Sequence, residues 1–173
     1  INWVGLGIEN PNQVLRREIH KDGFKEVGIL DVIKDVQNAG IGVGANYIFG
    51  LPMDTEESIK ETLDFAMSNM TEMVNFYCAM AYPGSPLYLE AKSKGWNLPN
   101  RYVGYSQHSY YTEPLSNGIL SAEQLLKHRD EAFVKYHSNP AYLQMLENKY
   151  GPEASENVRN TLKIDLKRKI LGD

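Results

Sequence analysis

The hydrophobic positions in the first half of the chain alternate between short strand-like runs and helix-like stripes. Apolar runs at residues 3–8, 41–49 and 73–81 have the length and composition of buried β-strands. Between them, apolar residues recur every three or four positions, and Gly40 lies where a helix C-cap glycine belongs. This alternation predicts an α/β fold in which a parallel sheet is connected by helical crossovers.

Two helical stripes separate the three strands. They consist of Ile29, Val32, Ile33 and Val36 in the first, and Ile59, Leu63, Ala66, Met67 and Met70 in the second. Asp54 and Glu57 have the spacing of a capping box, which predicts that Asp54 caps the second helix. The proline-containing turn at residues 83–86 predicts a third helix that extends to about Lys94. A polar connection around residues 21–23 precedes the first stripe.

The C-terminal part of the chain has a different character. Residues 95–120 are rich in Tyr, Pro and Gly and have no sustained period, so they predict a long ordered loop that covers a surface. A capping box at Ser121 starts the next helix, and Pro140 and Pro152 each start another. The apolar spacing of the last helix continues as far as Ile170.

Composition narrows the function classes. The 173 residues fit one compact domain, and a 42% hydrophobic and 23% charged composition is ordinary for a soluble globular protein. The net charge of -4 and the lack of a basic stripe argue against nucleic acid as a partner. No apolar run is long enough to span a bilayer, and the first residues lack the pattern of a signal peptide, so we expect no membrane association and a cytoplasmic protein. Because the chain opens inside a strand-like run, we also expect a segment before Ile1.

The single cysteine and the histidines indicate no metal site formed by this chain alone. Cys78 cannot form an internal disulfide and lies in an apolar strand, where a thiol usually acts as a small hydrophobe. His20, His108, His128 and His137 do not have metal-ligand spacing.

Three segments in succession carry a family resemblance. They read Gly-Leu-Gly-Ile-Glu at 5–9, Ala-Asn-Tyr-Ile-Phe-Gly-Leu-Pro-Met-Asp-Thr at 45–55, and Tyr-Pro-Gly-Ser-Pro-Leu-Tyr at 82–88. Together they resemble the C-terminal half of the radical S-adenosylmethionine (SAM) enzyme core, most closely the subgroup that often carries a cobalamin-binding domain. Two positions depart from the pattern, since Asn10 stands where serine is common and Met53 where glycine is frequent.

The resemblance implies a partial (β/α) barrel of six strands, of which this chain supplies the last three. We therefore expect a TIM-like half barrel of three parallel strands at residues 1–95, followed by an aromatic-rich loop and helical extension at 96–173. In the family, a 4Fe-4S iron-sulfur cluster is held by a Cys-x-x-x-Cys-x-x-Cys loop after the first strand, whereas this chain contains Cys78 alone. The resemblance thus implies the C-terminal fragment of a larger enzyme, inactive without the N-terminal half of the same polypeptide.

The resemblance also assigns residues to SAM contact, at the carboxyl ends of the strands where barrel ligands gather. In chain order these are Glu9, Asn46, Ile48, Gly50, Leu51, Tyr82, Pro83 and Gly84. The Glu9 carboxylate is expected to contact the ribose hydroxyls or the SAM amino group. Residues 48–51 are expected to pack on adenine, with Ile48 or Leu51 favoured over Phe49, and the backbone of residues 82–84 to bond the adenine amino group.

Each assignment has a structural alternative. Glu9 is equally typical of a turn residue that caps the following helix, and Asn46 of an amide that bonds a neighbouring strand. Ile48 and Phe49 point to opposite faces of their strand, so either one belongs to the core. The turn at residues 82–84 is also typical of a simple connection from a strand to a helix.

The implied reaction is electron transfer from the cluster to SAM, which yields a 5'-deoxyadenosyl radical that abstracts hydrogen from substrate. Cobalamin as a further cofactor would make methyl transfer the outcome, and the sequence leaves both this and the substrate open. Two alternatives stay open as well: a non-catalytic binding module with a half-barrel fold, or part of a phosphate-binding (β/α) barrel enzyme. The unpaired edge of the first strand predicts self-association of the isolated chain.

Overall fold

The computed structural model describes residues 1–19 and 28–173. In chain order its elements are β1 (Trp3–Glu9), α1 (Gln13–Glu18), α2 (Ile29–Asn38), β2 (Gly42–Phe49), α3 (Glu56–Ser68), β3 (Met73–Cys78), α4 (Pro86–Ser93), a 3-10 helix (Tyr102–Tyr105), α5 (Ala122–His137), α6 (Pro140–Tyr150), α7 (Pro152–Leu162) and a second 3-10 helix (Lys169–Leu171). The polar connection at residues 21–23 and His20 lie outside the described residues.

The three strands form one parallel sheet in the order β1-β2-β3. Ala45 of β2 pairs with Leu6 of β1 on one side and with Val74 of β3 on the other. The carboxyl ends of all three strands therefore lie at the same edge of the sheet. The predicted α/β half barrel of three parallel strands with a helical extension is confirmed, and the sheet formed by the described residues is open, not closed into a barrel.

One face of the sheet is buried against helices. Its side chains are Ile8, Ala45, Tyr47, Phe49, Val74, Phe76 and Cys78, which share a core with residues of α2, α3, α5 and α6. The Phe76 ring of β3 stacks against two rings of the neighbouring strand β2, with ring centroids 5.6 Å from Tyr47 and 5.5 Å from Phe49. Because strand side chains alternate, the opposite face carries the small, polar or half-exposed residues and is left available for contacts.

Glu72 connects several elements at the amino end of the sheet. Its buried carboxylate accepts hydrogen bonds from the Val43 backbone N–H at 2.8 Å and from Lys149 Nζ at 2.6 Å, and the Gln37 amide lies at 3.3 Å. Burial by itself raises the pKa of Glu72, but these hydrogen bonds outweigh burial and the pKa is lowered. Glu72 therefore ties β2, α2 and α6 together in its ionised form.

The start of α3 differs from the prediction by one residue. The N-cap is Thr55, which forms a reciprocal capping box with Ser58, and the predicted cap Asp54 lies one position earlier. Asp54 instead turns back to accept a hydrogen bond from the Gly50 N–H at 2.9 Å and another from the Ser58 hydroxyl. Asp54 thus stabilises the turn before the helix, because a bend that tight leaves a backbone N–H needing a partner.

The end of β3 also comes earlier than predicted. The strand stops at Cys78 and not at Ala81, although the Ala79 N–H still donates to the Phe49 carbonyl at 2.8 Å. Beyond it, the Tyr82 N–H donates to the Met80 carbonyl at 3.0 Å, which turns the chain away from the sheet. An apolar run alone does not reveal where such a turn begins.

The last helix is shorter than its apolar spacing predicts. It ends at Leu162, so Leu166 lies beyond it in a non-helical segment and Ile170 lies in the 3-10 helix that follows. That segment contains Arg168, which is completely buried and pairs with Asp130 of α5, with Nε 2.8 Å from Oδ2. The predicted continuation of the helix was wrong because this tertiary ion pair outweighs local periodicity.

Within residues 1–19 and 28–173, no helix is both long enough and apolar enough to cross a membrane.

The lowered pKa of Glu72 predicts that part of the free energy of unfolding is lost at acidic pH. Because the folded-state pKa lies below the unfolded value, the contribution is present above the unfolded pKa and is lost as pH falls through the folded pKa. We expect Glu72→Gln to lower the free energy of unfolding by about 2 kcal/mol at neutral pH, and by less at acidic pH. Urea unfolding at both pH values measures this difference, with the exposed Glu61→Gln on α3 as control. Equal losses at both pH values would contradict the prediction.

Candidate functional site

A cavity of about 450 Å³ lies at the carboxyl ends of the three strands. This volume is within the range of about 300–1,000 Å³ that is usual for small-molecule sites. Its lining is mainly apolar and comes from all three strand ends, helix α4 and the long loop; we call it the strand-end cavity. The strand-end cavity is lined by Glu9, Ile19, Ile48, Leu51, Tyr77, Cys78, Ala79, Met80, Tyr82, Leu87 and Gln107.

The cavity brings together four of the eight residues that the resemblance assigns to SAM, namely Glu9, Ile48, Leu51 and Tyr82. Ile48 is on the open face of β2, whereas Phe49 is fully buried against the helices. Tyr82 is half exposed, and its ring centroid lies 6.3 Å from that of Tyr105 in the long loop. Apolar side chains and a phenol ring therefore line the same space, a combination suited to a flat ligand.

A β-bulge turns Glu9 toward the open face. The register between β1 and β2 shifts between Gly7 and Glu9, and Glu9 has a φ of 61°, which is unusual for a residue other than glycine. Its carboxylate lies over Gly7, where an added Cβ would be 2.8 Å from Oε1. Glu9 does not cap the next helix, since the N-cap of α1 is Asn12. Bulges commonly re-aim side chains at functional sites, and this one directs a buried carboxylate to the cavity edge.

Asn46 lies on the same open face but does not line the cavity. Its Oδ1 accepts a hydrogen bond from Asn75 Nδ2 at 3.0 Å, and its own Nδ2 donates to the Leu6 carbonyl at 3.4 Å. The neighbouring strands thus provide partners for this amide, as the structural alternative for Asn46 expects. Ligand contact by Asn46 stays a prediction.

The turn after β2 is held in place by contacts with α5 and the long loop. Gly50 has a φ of 85°, and a Cβ at this position would lie 2.8 Å from Leu125 Cδ1 of α5. Asn117 Nδ2 donates to the Leu51 carbonyl at 3.0 Å and to the Asp54 carbonyl at 2.8 Å. These contacts hold Leu51 in the cavity wall. Met53 also has a positive φ of 66°, a conformation that favours glycine.

Pro83 and Gly84 are exposed and are not part of the cavity lining. Gly84 has a φ of 88°, and the next residue, Ser85, caps α4 by accepting a hydrogen bond from the Tyr88 N–H at 3.1 Å. Pro83 and Gly84 thus shape the turn that follows β3. Their contact with adenine stays a prediction.

The sequence prediction missed several cavity residues. Tyr77 had a detectable signal, because it alternates with the buried Phe76 and Cys78 and pairs with Ile48 in the sheet. Gln107 had none, since it lies in the aperiodic loop at residues 95–120. Its amide nevertheless mimics a further strand, with Oε1 accepting from the Cys78 N–H at 3.0 Å and Nε2 donating to the Cys78 carbonyl at 2.9 Å.

Cys78 contributes its backbone N–H and carbonyl to the hydrogen bonds with Gln107, and its thiol is not placed to act as a thiolate. Its sulfur is directed at the Leu125 carbonyl at 3.6 Å, and burial raises the pKa of the thiol to about 12. Within the described part of the chain, no group of three or more His, Cys, Asp or Glu side chains is arranged to hold a metal ion.

The steric role of Gly50 can be tested by comparison with Gly40, which also has a positive φ but open surroundings. We expect Gly40→Ala to lower the free energy of unfolding by about 1 kcal/mol, since only the backbone conformation is strained. Gly50→Ala should cost about 2–3 kcal/mol, because the added methyl group also collides with Leu125. Urea unfolding of both variants measures the difference, and equal losses would show that Leu125 yields to the methyl group.

The chain is similar at a distance to several methyltransferases. It is 26% identical over 132 residues to bacteriochlorophyllide d C-12(1)-methyltransferase of Chlorobaculum tepidum, covering 76% of this chain and 27% of the relative. It is 33% identical over 95 residues to the C-8(2)-methyltransferase of the same organism, covering 54% of this chain and 21% of the relative. It is 28% identical over 92 residues to the hopanoid C-2 methylase of Rhodopseudomonas palustris, covering 53% of this chain and 18% of the relative.

The chain thus spans less than a third of the length of these relatives. A comparison with descriptions of known protein families finds no match. The chain is therefore distantly related to methyltransferases over a limited part of their length.

Proposed function

We propose that this chain supplies the adenosine-binding part of a radical SAM methyltransferase. The observation that carries the proposal is the strand-end cavity, where three parallel strands contribute Glu9, Ile48, Leu51 and Tyr82 to one space. These residues come from the same three segments that resemble the radical SAM core. The distant similarity to methyltransferases independently supports methyl transfer as the type of reaction.

The cavity fits an adenosyl group. Ile48 and Leu51 provide apolar surface for an adenine face, and the half-exposed Tyr82 adds an aromatic ring to the lining. The Glu9 carboxylate is suited to accept hydrogen bonds from ribose hydroxyls or from the SAM amino group. No Lys or Arg is among the described residues that line the cavity, which disfavours the alternative of a phosphate site.

The two sheet edges support continuation of the barrel beyond β1. The outer edge of β3 is covered by side chains: Tyr142 Oη donates to the Glu72 carbonyl at 3.1 Å and Arg129 Nε to the Phe76 carbonyl at 2.9 Å, and Gln107 pairs with Cys78. Among the described residues, the strand that pairs with β1 is β2 alone. Strands from an N-terminal half of the same polypeptide would join at this β1 edge.

The residues of this chain do not fit an iron-sulfur cluster, because its single thiol is buried with a raised pKa. We place the cluster cysteines in polypeptide outside these 173 residues, and we expect the chain alone to be inactive. SAM, when bound, supplies the adenosyl group and the methyl group for such chemistry. Cobalamin remains a proposed additional cofactor on the strength of the resemblance alone.

Binding of an adenosyl ligand to the 173-residue chain tests the proposed site. We expect S-adenosylhomocysteine to shift the methyl resonances of Ile48 and Leu51 in NMR spectra. Ile48→Glu should weaken binding at least about tenfold, because it introduces a carboxylate into the apolar wall.

Ile119→Glu is the matched control, since Ile119 is an exposed isoleucine in the long loop that does not line the cavity. It should bind the ligand as the unmodified chain does. Absence of binding to the unmodified chain, or equal weakening by both variants, would count against the site.

The reaction itself is tested on the intact polypeptide. After anaerobic reconstitution with iron and sulfide, we expect SAM and a strong reductant to yield 5'-deoxyadenosine. A fully reconstituted sample that forms none would refute the radical mechanism, while leaving adenosyl binding as a separate question.

A further inference from the structure

The carboxyl end of β3 is held by a side chain from the long loop. Gln107 bonds both backbone groups of Cys78, and Gln107 itself lines the strand-end cavity next to Ala79 and Met80. An amide that occupies both an N–H and a carbonyl of one residue fixes the rotation of that peptide segment. The position of this cavity wall therefore depends on the position of residue 107.

Residue 107 is in turn held by Arg168 from the C-terminal segment. The guanidinium is completely buried, and Nη2 donates to the Gln107 carbonyl at 3.1 Å. Nη1 donates to the Ser109 carbonyl at 2.9 Å and to Thr112 Oγ1 at 3.0 Å, so that three positions of the loop are attached to one side chain.

Asp130 orients the guanidinium from the other side. It accepts from Arg168 Nε at 2.8 Å and Nη2 at 2.9 Å, a bidentate arrangement that uses the remaining donors. Asp130 Oδ1 also pairs with Arg129 Nη1 at 2.6 Å, and Arg129 Nε bonds the Phe76 carbonyl. The ion pair between Arg129 and Asp130 therefore links the strand edge, helix α5 and the loop.

We propose that Gln107 is a positioning residue for the strand-end cavity and that Arg168 holds it in place, so that the C-terminal segment sets ligand affinity. This inference rests on the proposed function, because it concerns the same adenosyl site. Gln107 acts through the backbone of residues 78–80, and Arg168 acts through Gln107. Neither the sequence motifs nor the similarity to methyltransferases assigns a role to these two residues.

The two hydrogen bonds between the Gln107 amide and the Cys78 backbone form what we call the Gln107 clamp. Gln107→Glu tests this clamp with little change in side-chain shape. The variant keeps an acceptor for the Cys78 N–H but places a carboxylate oxygen against the Cys78 carbonyl, where Nε2 donated before. We expect S-adenosylhomocysteine to bind about tenfold more weakly at about pH 8. As pH falls toward about 5.5, protonation of the introduced carboxyl restores a donor, and affinity should recover toward that of the unmodified chain.

The other charged or titratable groups near residue 107 are the same in Gln107→Glu and in the unmodified chain, so their own titration cancels in this comparison. They are Arg168 and Asp130 behind the loop, His108 beside it, Arg129 from α5, and Glu9, Tyr77, Cys78 and Tyr82 in the cavity lining. Gln144→Glu on the exposed surface of α6 is the control for an added charge and should bind as the unmodified chain does at both pH values.

Arg168→Lys tests the second link. Lysine keeps the positive charge but cannot reproduce five donors in a planar fork, so binding should weaken in the same direction. Because both residues act through one clamp, the double variant should lose no more affinity than the weaker-binding single variant. The adjacent, exposed Lys167→Met is the control, and urea unfolding confirms that each variant is folded at the assay temperature.

The outcomes separate the two proposals. If the unmodified chain binds no adenosyl ligand, the proposed function and this inference both fail. If it binds and Gln107→Glu matches it at both pH values, or if the variant's defect does not change with pH, the positioning role of Gln107 is wrong while the site stands. If the losses in the double variant multiply, Arg168 does not act through Gln107.

Discussion

The parallel pairing of three strands is the constraint on which the rest of the structure depends. In this arrangement all strand ends lie at one edge, so residues far apart in sequence, such as Glu9, Leu51 and Tyr82, meet around one cavity. The same pairing requires that one face be covered by helices, because the buried face carries nearly continuous apolar and aromatic side chains. The open face is thereby left with glycine, asparagine and half-exposed side chains.

The two ends of the sheet are secured in different ways. At the amino end, the Glu72 carboxylate gathers a strand backbone, a helix amide and a lysine around one charge. At the carboxyl end, Gln107 and Arg168 hold β3 through neutral and charge-assisted hydrogen bonds. A strand edge presents unpaired backbone groups, and side chains take over that pairing where no further strand is available.

The relationship to methyltransferases and the geometry of the cavity support the same interpretation from different observations. The sequence similarity is distant and covers less than a third of each relative, so it indicates a type of chemistry and no substrate. The cavity has apolar lining residues and a carboxylate, which suit the adenosyl group of the proposed function. In the proposed function its residues bind and orient the ligand, and the Cys78 thiol in its lining is buried with a raised pKa.

Elements with strong local signals were predictable from the chain itself. Strand and helix alternation, the capping box at Ser121 and the opposite orientations of Ile48 and Phe49 follow from short-range periodicity and backbone chemistry, which need no tertiary context. The clamp of Gln107 on Cys78, the burial of Arg168 and the early end of α7 had no such signal. They arise from pairing between groups more than 25 residues apart, and only the folded chain decides which distant donors reach which strand edge.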